Sequence, residues 1–157
     1  MIHNDVIRSV RYILNVNDKT LVQIFDLADW QIPLVDVQDF LLKDDNPNYL
    51  RCQDEAMAHF LDGLIYYKRG RDKDRPPMPF EYPITNNVVL KKLRVAFELK
   101  EEDMFNIFSL AGFKIGKHEL SAFLRRKDHS NYRECGDQVL RYFLKGLATK
   151  YRGAQGE

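Results

Sequence analysis

Apolar residues recur at helical spacing along most of the chain, and this pattern predicts an all-α fold. In the first segment Val6, Ile7, Val10 and Ile13 share one face, with Asn4 as a candidate N-cap. No segment alternates apolar and polar residues between turn signals, so no strand is predicted. Helices are predicted at about 5–15, 19–29, 34–43, 54–69, 87–98, 117–126 and 137–151, and the acidic run Glu101, Glu102, Asp103 marks the start of one more. The other candidate N-caps are Asp18, Asp54, Asn86 or Asn87, and Asp137.

The second half of the chain repeats the first. Shifted by 83 residues, the sequence aligns with itself without a gap from Asn4, which matches Asn87, to Gly70, which matches Gly153. About a third of these positions are identical, which indicates duplication of one four-helix unit. The predicted organisation is a first helical repeat at 1–70, a Pro-rich linker at 71–85, a second helical repeat at 86–153 and a frayed tail at 154–157.

The densest identity is the pattern Asn-Tyr-x-x-Cys-x-Asp, which occurs at 48–54 and again at 131–137. A cysteine beside an acid raises the question of nucleophilic chemistry, but a reactive thiol needs a partner that lowers its pKa, and no histidine repeats with it. The pattern favours structure: Asn shapes the turn, Tyr packs over it, Cys is a small buried hydrophobe and Asp caps the next helix. The repeated pairs are Tyr49 with Tyr132, Cys52 with Cys135, and Asp54 with Asp137.

Arg11 and Arg94 are a further identical pair, placed within the apolar face of the first helix of each copy. Because arginine is rarely buried without a partner, we expect a partly buried ion pair with a repeated acid. An anion site is the alternative. The candidate acids are Asp45 or Asp54 in the first copy and Asp128 or Asp137 in the second.

Gly63 and Gly146 occupy equivalent positions inside the longest predicted helix of each copy. Glycine in a helix interior costs about 1 kcal/mol relative to alanine. Its recurrence predicts a close helix–helix approach that a side chain would prevent.

Charge is divided unevenly between the two copies. Residues 1–75 carry 10 basic and 13 acidic side chains, a net charge of −3, whereas residues 76–157 carry 14 and 10, a net charge of +4. The segment 104–127 resembles a helix-turn-helix with Arg125 and Arg126 late in its second helix, although its turn is long for that motif. A solvated basic face is the alternative interpretation, and the acidic first copy could also dock against it. The candidate polyanion-binding residues are Lys114, Lys117, Arg125, Arg126, Lys127 and Arg133.

The remaining composition narrows the class of protein. Charged residues interrupt the N-terminal segment, and no stretch approaches the roughly 20 apolar residues of a membrane span. The two cysteines are too few for a disulfide framework, so we expect a cytoplasmic protein with reduced thiols and no membrane association. The four histidines lack zinc-ligand spacing, and no metal, cofactor or catalytic residue is predicted.

Three segments, NDVIRSVRYIL, NNVVLKKLRVAFELK and NYRECGDQVLRYFLKGLA, resemble the bacterial YehS-like family, a group of proteins of unknown function. The resemblance covers essentially the whole chain and implies a helical, cytosolic tandem repeat, with no catalytic residue to transfer. The residues themselves favour a non-catalytic binding or adaptor module that contacts a protein partner or a second copy of itself. Nucleic-acid binding through the basic second repeat is the alternative.

Overall fold

A computed structural model describes the backbone of residues 1–72, 74–77 and 79–156, and the side chains of these residues up to 153. This part of the chain contains eight helices and no strand, which confirms the predicted all-α class of two four-helix units. The helices are α1 (His3–Leu14), α2 (Asp18–Leu27), α3 (Leu34–Phe40), α4 (Asp54–Arg69), α5 (Asn86–Ala96), α6 (Glu101–Leu110), α7 (Lys117–Leu124) and α8 (Asp137–Gly156).

The predicted ends of α1, α2 and α5 were one or two residues too late, because the backbone turns left-handed earlier than expected. Asn15 has φ 54° after α1, and its counterpart Glu98 has φ 53° after α5. Asp29 has φ 63° after α2, and its counterpart Gly112 has φ 76° after α6. A left-handed residue cannot continue a right-handed helix, so the same stop recurs in both repeats.

Most of the predicted N-caps were wrong by one or two positions. The side chain of Asn17, rather than Asp18, accepts the Thr20 N–H at 2.9 Å and begins α2. Thr85, rather than Asn86 or Asn87, accepts the Val88 N–H at 3.3 Å and begins α5. Each cap satisfies a backbone donor that the first helical turn leaves free.

Within each repeat the second helix crosses the fourth, and aromatic rings fill the crossing. The Phe25 and Phe60 ring centroids are 5.2 Å apart, and those of the equivalent Phe108 and Phe143 are 5.3 Å apart. All four rings are fully buried. Tilted pairs at this distance add roughly 1 kcal/mol beyond their buried area, so each repeat has the same aromatic centre.

The predicted close approach at the two helix glycines is present. A Cβ at Gly63 would lie 1.9 Å from the Ile24 carbonyl oxygen, and a Cβ at Gly146 would lie 1.9 Å from the Ile107 carbonyl oxygen. Only glycine permits these backbones to come so near. The close crossing offsets the helix-propensity cost of the glycine in both copies.

The two repeats interlock rather than sit side by side. Helix α1 of the first repeat packs mainly on α8, the last helix of the second, and α5 packs mainly on α4. The shift of 83 residues exchanges these two contacts, so the repeats are related by an approximate two-fold axis. One continuous apolar cluster contains residues of all eight helices.

The Pro-rich segment lies against the first repeat before the chain enters α5. Arg71 donates to the Leu27 carbonyl at 2.7 Å and pairs with Asp29 at 3.1 Å. Farther along, the Phe80 ring lies 4.6 Å from the His59 ring, and Ile84 is buried. Lys73 and Met78 of the predicted linker lie outside the described residues, as do Glu157 and the side chains of 154–156 in the predicted frayed tail.

Candidate nucleic-acid interface

A buried asparagine, rather than a helix cap, ties the start of α1 to the Cys-containing loop. Asn4 is fully buried; its amide donates to the Phe40 carbonyl at 3.0 Å and the Leu50 carbonyl at 2.8 Å, and its oxygen accepts the Cys52 N–H at 3.0 Å. The equivalent Asn87 donates to the carbonyls of Phe123 and Arg133 at 3.0 and 2.8 Å and accepts the Cys135 N–H at 2.9 Å. The cap prediction for Asn4 was therefore wrong. The sequence did carry a signal for this buried role, since the same polar residue stands beside the apolar face of the first helix in both copies.

Both cysteines of the repeated pattern are buried and free. Burial, followed by the nearby carboxylate of Asp54, raises the pKa of Cys52 to about 12. Burial and Asp137 raise the pKa of Cys135 to about 12 as well. Since a thiol of this pKa stays protonated at neutral pH, these cysteines are poor nucleophiles, in agreement with their interpretation as packing residues.

The aspartates of the pattern do not cap their own helices as predicted. Asp54 is the first residue of α4 and accepts a hydrogen bond from His3 Nε2 at 2.6 Å and from the Ile84 N–H at 3.3 Å. Asp137 pairs with the Met1 amino group and accepts from Asn86 Nδ2 at 2.9 Å. These two bonds lower the pKa of Asp137. Each aspartate thus binds the segments that lead into the first helix of both repeats.

The predicted ion pairs of Arg11 and Arg94 are wrong. Arg11 is exposed at the end of α1 and pairs with Asp18 at 2.7 Å, because α2 begins only one turn away. Arg94 is half-buried, and its Nε donates to the Leu99 carbonyl at 3.1 Å. Neither contacts the predicted acids. Asp45 and Asp128 are exposed in the loops after α3 and α7.

The tyrosines of the pattern are half-buried beside these loops, where turns bring their N–H groups to an earlier carbonyl. The Tyr49 N–H donates to Asn46 and the Tyr132 N–H donates to His129, each at 3.0 Å. The turn geometry is shared by the two repeats. The side chains around it differ in charge.

The six basic candidates gather at the two ends of α7 instead of along it. Lys114 and Lys117 lie before and at the start of α7, whereas the other four follow its last residue, Leu124. Arg125 is extended, with φ −74° and ψ 163°, so the prediction that Arg125 and Arg126 end a recognition helix was wrong. The exposed members are Lys114, Lys117, Arg126, Lys127 and Arg133, and Arg125 is half-buried beside His129.

Two of these residues, Arg126 and Lys127, line a groove of about 450 Å³ between the Pro-rich segment and the second repeat. Lys91 of α5, which sequence reasoning missed, contributes a third cation. We call this the linker groove. Its walls also carry Phe80, Tyr82 and Tyr132. The groove therefore combines three cations with three aromatic rings.

The charges of the linker groove favour an anion. Lys91 and Lys127 form no ion pair within 4.0 Å among the described residues, and Arg126 forms one exposed pair, with Asp128 at 3.4 Å. Such a surface pair is worth under about 1 kcal/mol and yields easily to a ligand. Glu81 and Asp128 are the acids on the walls.

The tyrosines of the linker groove are neutral at physiological pH. Desolvation and Glu55 raise the pKa of Tyr82, and desolvation and Glu134 raise the pKa of Tyr132. Tyr82 is 53% exposed, so about half of this residue is accessible to a ligand. A neutral aromatic face beside cations is the arrangement that stacks a nucleobase near its phosphate.

The first repeat provides an internal comparison for the six basic candidates. The equivalent residues are Gln31, Leu34, Leu42, Lys43, Asp44 and Leu50, whose net charge is zero. The two repeats share a backbone but only the second presents this charge. The basic charge at this surface is therefore a property of the second repeat and not of the shared four-helix unit.

Other kinds of site are absent from the described part of the chain. No three His, Cys, Asp or Glu side chains in it are grouped so that they could hold a metal ion. None of its helices has both the length and the apolar character needed to cross a membrane.

Comparison with known proteins identifies the family. Residues 3–70 and 86–153 each match the family described as "Protein of unknown function (DUF1456)". The chain is 45% identical over 156 residues to the "Uncharacterized protein YehS" of Escherichia coli (strain K12), which covers 99% of this chain and all of that protein. No solved structure matches the chain significantly. The chain therefore belongs to the DUF1456 family, whose unit it contains twice.

Proposed function

We propose that this protein is a non-catalytic binding protein whose ligand is single-stranded nucleic acid, held in the linker groove. The observation that carries the proposal is the meeting of Lys91, Arg126 and Lys127 with the exposed ring of Tyr82 in one groove. Cations that follow a phosphate backbone and rings that stack on bases are the two components of sequence-tolerant single-strand binding.

The shape of the second repeat supports a single strand more than a duplex. Helix α7 has eight residues, and four of the six basic candidates follow it in a loop, so α7 does not present them to a major groove as a recognition helix would. A flexible single strand can instead place its bases against the groove walls. A strand that continues over α7 would bring further phosphates to Lys114 and Lys117, at the other end of that helix.

A salt titration tests the proposal. Binding of a fluorescent oligothymidylate of about 20 nucleotides, longer than one typical site, is measured by anisotropy. With three groove cations neutralising phosphates, the logarithm of the affinity should fall with the logarithm of salt with a slope of about −2. A duplex of the same length should bind more weakly, because its bases cannot reach Tyr82.

Two variants locate the site. Arg126→Glu with Lys127→Glu should weaken binding by at least about tenfold at low salt. The control, Lys19→Glu with Lys43→Glu, changes net charge equally at exposed positions of the first repeat and should weaken it far less. Tyr82→Ala should cost about tenfold through lost stacking, whereas Tyr67→Ala, an exposed tyrosine of α4, should not.

Absence of binding at the lowest salt, or equal loss in the control variants, would refute the proposal. The protein partner favoured by the sequence would then be the remaining candidate. Its structural support is weaker, because exposed large apolar side chains such as Tyr12, Val35 and Leu110 lie on separate helices. Protein docking sites usually gather such residues into one patch.

A further inference from the structure

A second groove, of about 360 Å³, lies where α1 packs on α8, and we call it the α1–α8 groove. It shares no lining residue with the linker groove. Ile13 and Leu144 form part of its apolar floor, and Arg141 and Lys145 of α8 stand on its wall. This size is within the range of small-molecule sites.

The two-fold relation of the repeats shows what the α1–α8 groove lacks. At the equivalent place between α4 and α5, the Asp62 carboxylate accepts from Lys92 Nζ at 2.8 Å, and the Asp62 side chain is only 9% exposed. The residues that correspond to Asp62 and Lys92 are Lys145 and Ser9, and both line the α1–α8 groove. A cation therefore replaces the carboxylate, and a short hydroxyl replaces the long ammonium side chain.

Arg141 and Lys145 form no ion pair within 4.0 Å with a described carboxylate, although Arg141 is near enough to the Asp137 carboxylate to help lower its pKa. The third cation on the wall, Arg8, is already held by Asp5 at 2.6 Å and by the Leu41 carbonyl at 3.3 Å. The nearest acid along α8, Asp137, is bound to the Met1 amino group. An anion in the groove would thus meet two positive charges, neither of which is held in an ion pair within 4.0 Å by a described carboxylate.

We propose that the α1–α8 groove binds a small amphipathic carboxylate. Its carboxylate lies between Arg141 and Lys145 and takes the role that Asp62 has in the other interface. Its hydrocarbon part covers Ile13 and Leu144. The apolar floor favours this class over a fully polar anion such as inorganic phosphate, because burial of each methylene raises the affinity about fourfold.

Calorimetric titration of the full chain with octanoate, acetate, octanol and inorganic phosphate tests the proposal. Octanoate should bind. Acetate should bind at least about tenfold more weakly because it lacks the hydrocarbon chain, and octanol should bind similarly weakly because it lacks the charge. Phosphate that binds as tightly as octanoate, or an absence of octanoate binding at millimolar concentration, would overturn the assignment.

A transplanted ion pair provides the decisive variant. Ser9→Lys with Lys145→Asp copies the Lys92–Asp62 pair into the α1–α8 groove, so the protein should remain folded while its octanoate affinity falls at least about tenfold. Lys150→Asp makes an equal charge change to that of Lys145→Asp, on the same helix and outside the groove, and should retain binding. Lys145→Gln, a milder change, should also lower the affinity for octanoate. Equal binding by the wild type and the transplanted variant would refute the site.

Discussion

The two interfaces between the repeats, α4 with α5 and α1 with α8, use the same frame with different polar groups. In both, an arginine of the last helix donates to a carbonyl of the opposite first helix: Arg69 to Val95 at 3.5 Å, and the equivalent Arg152 to Tyr12 at 3.1 Å. Among the described residues, a buried ion pair is found in the α4–α5 interface alone, where Lys92 pairs with Asp62. Duplication therefore kept the backbone contacts and let the side chains at this position diverge.

The difference indicates which residues hold the fold and which are free to acquire a function. Positions that fix the helix crossings are identical in the two copies, as are the buried asparagines. The residues around the α1–α8 groove and the linker groove differ between the copies. A perturbation of the shared frame should thus affect both halves alike, whereas a perturbation of the divergent positions should distinguish them.

The largest expected effect is at the shared helix crossings. Gly63→Ala and Gly146→Ala place a Cβ against a backbone carbonyl, at Ile24 and Ile107, where the helices must move apart. Each should lower the free energy of unfolding by about 3 kcal/mol or more, since overpacking against a backbone cannot be relieved by a rotamer change. Urea unfolding followed by circular dichroism measures the loss.

These two variants also test the interlocked packing. Because one apolar cluster spans both repeats, each variant should unfold in a single transition. Two separated transitions would show that the repeats are independent domains. Unchanged stability of either variant would contradict the close crossing.

The buried asparagines should give the next largest loss. Asn4→Leu removes the partner of one buried N–H and two carbonyls, and Asn87→Leu does the same in the second repeat. Each should cost about 2 to 3 kcal/mol, because buried polar groups left unpaired lose their hydration without compensation. Thermal unfolding of the two variants should shift by similar amounts. A large shift of the unfolding temperature in one variant alone would show that the two buried asparagines are not equivalent.

The features common to both repeats could be predicted from the sequence, because the same fold requires the same residue types at equivalent positions in each copy. The duplication follows from the identities at a shift of 83 residues, the helical class from the apolar spacing, and the close crossings from Gly63 and its counterpart Gly146. The roles of the repeated polar residues were harder to predict. Asn4 and Asp54 are residue types that commonly cap helices, so the sequence favoured that role. In the fold, distant segments approach them instead: Asn4 accepts the Cys52 N–H and Asp54 accepts the Ile84 N–H.

The candidate sites were predictable only in part for the same reason. Arg126 and Lys127 stood out by charge, but Lys91 and Tyr82 reach the same groove through the course of the linker, which no local pattern encodes. The contrast of Asp62 with Lys145 was visible in the alignment of the two copies. That this contrast lies in the two interfaces between the repeats became clear only from the structure, in which α4 packs on α5 and α8 packs on α1.

A smaller effect should separate the two interfaces. Asp62→Asn leaves Lys92 without its carboxylate, but Lys92 is 21% exposed and its ammonium can reach water. We expect a loss of about 1 to 2 kcal/mol, less than for a fully buried pair. The equivalent change Lys145→Gln should alter stability by less than about 0.5 kcal/mol, since it breaks no bond. Equal losses in guanidinium unfolding would contradict the difference between the interfaces.

The mildest probe changes no residue and uses the two cysteines, one in each repeat. With a pKa of about 12, Cys52 and Cys135 have roughly one part in ten thousand thiolate at pH 8, whereas an unfolded cysteine of pKa about 8.5 is roughly a quarter ionised. Labelling by a thiol reagent should therefore be negligible in the folded protein and rapid in urea. A raised thiol pKa also means that this contribution to stability is complete below about pH 8.5 and declines as pH rises towards 12.

The relative labelling rates of the two thiols then report on the comparison itself. If the halves open together, Cys52 and Cys135 should be modified at the same slow rate, measured by mass spectrometry of peptides after quenching. Faster modification of Cys135 would show that the second repeat opens separately. Octanoate should slow the modification of both cysteines, because the α1–α8 groove is lined by one helix of each repeat and a ligand stabilises only the conformation that binds it.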